Sequence, residues 1–367
     1  MKFNITKENF LKPIQKLNSI ICIHHGNPIT NNILLYIQNN NAYLTSTNLE
    51  LELIAKIHCN EIFNVGEILV SSKKILNIVR SFPNKSNIQV ISENNIMQLQ
   101  YKNIIFKLNA CSTKNFPKFK TKQIIQKIYL NQNEFKNIIY NSHYAMAKHD
   151  IRHYLNGMNI EIYSGKIFAV ATDGYRMAIT YTSCINTNKR ISIIIPYKTI
   201  LELIKILEYK DNKIQVYMGN KIIQFYLEKY TLSSKLIDNQ FPIYKNLLKT
   251  KFDKHIILNR ETLKNALIRA SILIHQKLQG VRIIIQKGLC TVCASNEHDE
   301  TIQEEFKIDY NDTSSIELTM NINYILDVIN IINQKEIEIF LNNTSSTIYI
   351  KYIADYNSYH LIMPLIL

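Results

Sequence analysis

The chain predicts an α+β fold in which one domain occurs three times, each copy laying two helices against curved antiparallel sheets. Two recurrences predict it. In the first, a short apolar run leads through a side chain able to cap a helix into apolar residues spaced three and four apart. Its copies are Phe3-Asn4-Ile5-Thr6 before Phe10, Leu11 and Ile14, Tyr129-Leu130-Asn131 before Phe135, Ile138 and Ile139, and Ile257-Leu258-Asn259 before Leu263, Ala266 and Leu267. In the second, Val70-Ser71 precedes Ile75, Leu76 and Val79, Ile195-Pro196 precedes Ile200, Leu201 and Ile204, and Met320-Asn321 precedes Ile325, Leu326 and Ile329. Successive copies of this second string lie 125 residues apart. Solenoid repeats run to about 20–50 residues, so a period this long means a whole domain repeated. The expected domains are 1–126, 127–253 and 254–367, each built from two similar halves.

Each element follows from local chemistry. Thr6, Asn131 and Asn259 are each able to accept a hydrogen bond from the orphan amides of a first helical turn. Glu134 stands three residues beyond Asn131, a variant of the capping box. Pro196 suits the first turn of a helix, where no amide donor is needed. After the helices come short runs rich in Ile, Val, Tyr and Phe: 88–90, 97–101 and 104–108, then 214–218, 222–227 and 230–234, then 336–341, 347–352 and 358–363. Asn, Gly or Lys-Asn turns separate them, so each half reads strand, helix, meander. Connections this short make antiparallel pairs.

A chain of 367 residues with 46% hydrophobic residues has enough apolar surface for several cores. Lys2, Lys7 and Glu8 interrupt any leader-like apolar stretch, and the runs 33–37 and 191–195 are too short to span a bilayer. A cytoplasmic protein is expected, with no membrane association. Cys22, Cys59, Cys111 and Cys184 are scattered, and Cys290 and Cys293 fall in a strand-like stretch where residues three apart face opposite ways. Buried thiols in a reducing compartment are expected, with neither metal nor cofactor.

The formal charge is +14, from 43 basic and 29 acidic side chains. It bears on partners only if it is organised. The helical segments carry Lys7, Lys12, Lys16, Lys73, Lys74 and Arg80, then Lys136, Lys198 and Lys205, then Lys264 and Arg269. Acids there are fewer: Glu8, Glu134, Glu202, Glu261 and Asp327. A positive bias repeated on equivalent helices reads as a shared basic surface. The sixth helix, with Asn323, Asn330 and Asn333, is polar without being basic. No nucleophile elbow, phosphate loop, zinc signature or carboxylate pair is present, which argues against an enzyme. Thr172-Asp173-Gly174 reads as a turn whose glycine supplies positive φ.

Several strings are distinctive: Met1-Lys2-Phe3 with Leu11-Lys12-Pro13, Tyr154-Leu-Asn-Gly-Met158, Ala171-Thr-Asp-Gly-Tyr-Arg-Met-Ala178, Ser234-Lys-Leu-Ile-Asp238 with Phe241-Pro242, Gly280-Val-Arg282 and Met363-Pro-Leu-Ile-Leu367. With the triplication, they make the chain resemble the bacterial DNA polymerase III beta subunit family, the replicative sliding clamps, from Met1 to Leu367. The resemblance implies that two chains pair head to tail and that six domains form a ring, helices inward and sheets outward. Such a ring encircles duplex DNA and tethers the replicative polymerase without catalysing anything itself. Basic helices would then meet phosphates through a salt-dependent, sequence-independent attraction.

The resemblance also implies three sites. A pocket for partner peptides would use Leu155, Thr172, Gly174, Tyr175, Arg176, Met177, Pro242, Leu247, Tyr324, Ile362, Met363, Pro364 and Leu365. Its partners would be the DNA polymerase III catalytic subunit, the clamp loader and other proteins with a clamp-binding motif. Asn246 and Ile366 stand where many relatives carry arginine, which weakens recognition of acidic flanks. A homodimer interface would use Lys74, Phe106, Leu108, Ile272, Leu273, Glu300 and Glu304. Duplex DNA would be touched by His24, Arg80, Lys148, His149, Arg152, His153, Tyr154, Lys198 and Lys205. Blander readings stay open: core packing for Leu155, Tyr324, Ile272 and Leu273, and a solvated loop for 148–154. So does a basic interaction scaffold that does not encircle DNA. A clamp stays on circular DNA and leaves when the circle is cut, whereas a scaffold ignores DNA topology.

Overall fold

In the computed structural model, the described residues are 1–21, 28–38, 41–119, 126–183, 190–249, 252–274, 280–341, 347–352 and 357–365. Six times the chain passes from a strand directly into a helix: Lys2–Thr6 into α1 (Lys7–Asn18), Gly66–Ser71 into α2 (Ser72–Ser81), Gln126–Asn131 into α3 (Gln132–Ser142), Ile191–Pro196 into α4 (Tyr197–Ile206), Lys254–Asn259 into α5 (Arg260–Ser271) and Ile316–Asn321 into α6 (Ile322–Ile331). Polar side chains start most of these helices. Asn131 Oδ1 accepts from Glu134 N at 3.1 Å, Asn259 Oδ1 from Thr262 N at 3.0 Å and Asn321 Oδ1 from Asn323 N at 3.0 Å. Thr6 departs from expectation and makes no side-chain cap bond. Pro196 falls one position earlier than expected, as the last residue of its strand, and stands opposite Gly157.

The first helical position carries a second device. Lys7 is buried, and its ammonium donates to Arg80 O at 3.0 Å, to Phe82 O and to Asn84 Oδ1. The equivalent Gln132 donates Nε2 to Glu208 O at 3.0 Å, and Arg260 donates Nη1 to Ile329 O at 3.4 Å. In every copy the same residue's amide also bonds across the domain, to Ser86 O, Asn212 O and Lys335 O. The last carbonyls of a helix lack internal partners and attract cations, which is why a donor is placed there. Lys136 acts alike, donating to Leu207 O at 2.7 Å and lying over the Tyr209 ring. The expectation that Lys7 and Lys136 belong to a shared exposed basic face is therefore corrected.

Two compact units result. One comprises Met1–Lys136 with Lys198–Ile237, the other Asn137–Tyr197 with Asp238–Leu367. The first holds a five-stranded sheet, ordered Glu61–Asn64, Lys2–Thr6, Asn87–Glu93, Ile96–Tyr101, Ile104–Asn109. It also holds an eight-stranded sheet in which Tyr230–Lys235 of the second copy pairs with Leu51–Ile57 of the first, Leu232 opposite Leu53. The second unit repeats the plan. Arg176–Ser183 pairs with Ser358–Ile362, Met177 opposite Leu361, inside an eight-stranded sheet, and four strands from Gly280–Gln286 to Ile316–Asn321 form the other. All pairings are antiparallel, and every strand of the predicted meanders is present. Joining copies strand to strand covers edges that would otherwise stay open. Ile104–Asn109 and Thr301–Lys307 are among the strands that end their sheets.

Cores lie between helices and sheets. In the third copy Leu263, Ala266, Leu267 and Ala270 of α5 and Ile325, Val328 and Ile329 of α6 pack on Val281, Ile283, Ile285 and Ile337. Cys290 is fully buried while Cys293 is not, as alternation requires, and burial pushes the Cys290 thiol up to about 12. No helix among the described residues is long and apolar enough to cross a membrane.

Candidate functional site

The turn between two paired strands builds the site. Thr172 Oγ1 donates to Arg176 O at 2.6 Å and accepts from Gly174 N, while Asp173 Oδ1 accepts from Tyr175 N at 2.9 Å and Arg176 N at 3.0 Å. Gly174 has φ +95°, which favours glycine, and a Cβ there would lie 3.0 Å from the tip of the Arg152 guanidinium, which would have to give way. The turn leaves Tyr175 exposed and sends Arg176 inward. Arg176 pairs with Asp173 Oδ2 at 3.0 Å and Asp327 Oδ2 at 2.6 Å, and donates to Tyr144 O at 2.8 Å. Its guanidinium lies 4.4 Å from the Tyr324 ring centre. With all three guanidinium nitrogens engaged and an aromatic face beneath it, this arginine is a fixed wall.

Beside it is a cavity of about 180 Å³. Leu155, Thr172, Gly174, Tyr175, Arg176, Met177, Pro242, Leu247 and Met363 of the sequence-predicted pocket line it, joined by Arg152, Tyr154, Thr347 and Leu361. Met363 is held by its amide, which donates to Tyr175 O at 2.9 Å. Four predicted residues do not line it. Tyr324 stands behind Arg176, and Ile362 is fully buried opposite Arg176 in the sheet. Leu365 is turned elsewhere: its amide donates to Thr319 O at 2.8 Å, and its Cδ1 lies 3.5 Å from where a Gly280 side chain would begin. Pro364, half-buried, lies between the two. Asn246 is exposed, and Ile366 lies outside the described residues. Leu361 was missed because only its register opposite Met177 brings it here.

The loop 148–154 divides. Lys148, His149 and His153 are exposed, with Lys148 near the Tyr197 ring. Arg152 chelates Asp150, with Nη2 at 2.9 Å and Nε at 3.0 Å, and donates to Asp173 O at 3.2 Å. That pairing draws the Asp150 carboxyl down to about 2. Arg152 and Tyr154 are thereby rim residues of the cavity.

The other predicted cations lie on helices. Arg80 and Lys198 are exposed, and Lys205 is half-exposed with its ammonium 2.7 Å from Glu202 Oε1. His24 lies outside the described residues. In the first unit an open cleft of about 720 Å³ gathers Lys12, Lys16, Lys56, Lys205 and Lys229, with Glu8, Glu208 and Glu228 interleaved.

Of the predicted interface residues, Phe106 and Leu108 are half-buried on the end strand, and Phe106 packs edge-on against Phe82 at 5.7 Å. Ile104 and Ile105, not singled out from sequence, are 43% and 50% exposed on the same strand. Ile272, just past α5, is 79% exposed and Leu273 half-buried. Glu304 pairs within the chain with Arg269, Oε2 to Nε at 2.7 Å, Glu300 accepts from Asn296, and Lys74 is exposed.

Models of the DNA polymerase III beta subunit match the chain as its N-terminal domain over residues 1–120, central domain over 129–243 and C-terminal domain over 245–366. The beta sliding clamp of Buchnera aphidicola subsp. Rhopalosiphum padi is 34% identical over 359 residues, covering 98% of this chain and 97% of that one. That of Escherichia coli K12 is 30% identical over the full length of both. The crystal structure of the DNA polymerase III subunit beta from Pseudomonas aeruginosa superposes with a TM-score of 0.93 at 30% identity, covering both chains completely. A second structure from that organism, a sliding clamp bound to griselimycin, gives 0.95 at 30% identity, again over both whole chains. On that full-length agreement, the chain belongs to the bacterial DNA polymerase III beta subunit family, the beta sliding clamps.

Proposed function

We propose that two copies of this chain close head to tail into a ring around duplex DNA and tether the replicative polymerase to it, conferring processivity without catalysis. The observation that supports the reading is a pair of sheet ends, one from each compact unit. Ile104–Asn109 presents Ile104 and Ile105, and Thr301–Lys307 presents alternate exposed polar side chains including Glu305. Each offers a row of main-chain donors and acceptors to another strand. Phe106, Leu108, Ile272 and Leu273 would supply the apolar part of that contact. Charges such as Lys74, Glu300 and Glu304 would set its register and direction, since exposed pairs contribute only about 0–1 kcal/mol each. The domains would run 1–126, 127–253 and 254–367.

Within such a ring, His24, Arg80, Lys148, His149, His153, Lys198 and Lys205 would meet phosphates, with Arg152 and Tyr154 at the boundary between DNA and pocket. The cavity at Met177 and Met363 would receive apolar peptides from the polymerase catalytic subunit, the clamp loader and other clamp-binding proteins. Thioether walls adapt to varied side chains. The Pseudomonas aeruginosa clamp has been solved bound to griselimycin, and this chain would bind it as well. Work on the chromosome implies a cytoplasmic location.

The test is topological. The protein is loaded on a nicked circular plasmid and gel-filtered before and after linearisation. A clamp co-elutes with the circle and is lost from the linear form. Equal retention on both, or loss from both at moderate salt, overturns the ring.

A further inference from the structure

We propose that Glu161 is a positioning residue for the peptide cavity: its buried carboxylate pins the linker segment that supplies two of the cavity's walls. The proposal rests on reading that cavity as the partner site. Glu161 lies on the strand Gly157–Tyr163 and is 2% exposed. Its Oε2 accepts from Tyr244 Oη at 2.5 Å, and its Oε1 accepts from Lys245 Nζ at 2.8 Å and Arg190 Nε at 3.0 Å. A buried carboxylate with three donors, two of them cationic, is well satisfied.

Tyr244 and Lys245 lie in sequence between Pro242 and Leu247, the linker's two contributions to the cavity. Tyr244 is itself buried among Val170, Ile179, Tyr349 and Leu361, with Met177 and Leu247 packed against that cluster. Leu247 is fixed twice more, its amide donating to Tyr244 O at 3.0 Å and its carbonyl accepting from Tyr349 Oη at 3.2 Å. The carboxylate thus orders a segment without regular strand structure whose walls must be in place before a peptide arrives, which is preorganisation. In the first unit a different buried acid also bonds a residue between copies, Glu52 accepting from Phe119 N at 3.1 Å.

The test uses the full-length protein and a fluorescein-labelled synthetic peptide carrying the C-terminal sequence of the polymerase catalytic subunit from the same genome. Glu161→Ala is expected to weaken it about tenfold, through faster dissociation. Tyr244→Phe keeps the buried ring and removes one bond, and a few-fold loss is expected; it decides the matter if Glu161→Ala does not fold. In both variants the Leu247 amide exchanges faster with solvent. Affinity within about twofold of wild type in Tyr244→Phe and any folded Glu161→Ala, even with a lowered melting temperature, overturns the proposal. Met363→Ala separates the two readings. If it weakens the peptide while the linker variants do not, only the role of Glu161 fails. If wild type does not bind, or Met363→Ala binds equally, the cavity is not the partner site and the proposal falls with it.

Discussion

Glu52 offers a sharp test of the packing energetics. It lies on Leu51–Ile57, 4% exposed, and its Oε2 accepts from Phe119 N at 3.1 Å. Burial pushes its carboxyl from 4.5 up to about 7, against the opposing pull of the Phe119 amide and the nearby Lys118 ammonium. Because the folded value is raised, the folded state holds this proton more tightly than the unfolded chain does. Stability is therefore undiminished below about pH 4.5, falls as pH rises through the window to 7, and stays reduced above it. That gap corresponds to about 3 kcal/mol. Glu52→Gln keeps an acceptor for Phe119 and cannot ionise. It should stabilise the protein by about 2–3 kcal/mol at pH 8 and leave it nearly unchanged at pH 4.5. The chain has no tryptophan, so urea unfolding is followed by far-ultraviolet circular dichroism at the two pH values. An equal gain at both would show that ionisation is not the cause. A loss at pH 8 would show that Lys118 and the amide fully offset the burial.

Lys7→Met should cost about 2 kcal/mol in the same unfolding assay, because carbonyls ending α2 lose a charged donor, and amide exchange in α2 should accelerate. Met363→Ala should weaken the polymerase-tail peptide at least about tenfold by calorimetry, while Leu365→Ala, whose side chain packs toward Gly280, should stay within about twofold. Ile272→Ala combined with Leu273→Ala should give folded monomers by light scattering at micromolar concentration. A dimer of unchanged mass would remove those residues from the interface.

What the sequence made legible was local. A polar residue and the apolar residues three and four places on depend only on neighbours, so all six strand-to-helix steps and the strands after α2, α4 and α6 could be read. Pairings between distant segments could not. Nothing local says that Met177 stands opposite Leu361, or that Leu232 stands opposite Leu53 and fuses two copies into one sheet. Charge was readable as composition and not as placement. Lys7 and Lys12 are the same residue type five positions apart, yet one is buried on carbonyl oxygens and the other exposed. The terminal apolar string likewise reads as one feature, whereas main-chain bonds from Met363 to Tyr175 and from Leu365 to Thr319 send it to two places.

The repeats explain how cavities at two like junctions can differ in character, the one in the first copy being lined by Glu52, Ile54 and Phe119. Moving back 125 residues from Thr172–Arg176 arrives at Thr47–Leu51, and the turn there has the same bonds. Thr47 Oγ1 donates to Leu51 O at 2.9 Å and accepts from Leu49 N, and Asn48 Oδ1 accepts from Glu50 N and Leu51 N at 3.0 and 2.8 Å. Lys235 N even donates to Glu50 O, as Met363 N does to Tyr175 O. The backbone device is therefore common property and cannot confer binding by itself. The side chains differ: Leu49 takes the left-handed place of Gly174 at φ +75°, leucine 51 replaces Arg176, and Glu52 replaces Met177. A buried acid with a raised pKa is a poor floor for an apolar peptide, because seating one there would desolvate the carboxylate further. Divergence at these few positions, on a scaffold kept intact by strand pairing, would favour an apolar peptide at the second of two turns that share one set of backbone bonds.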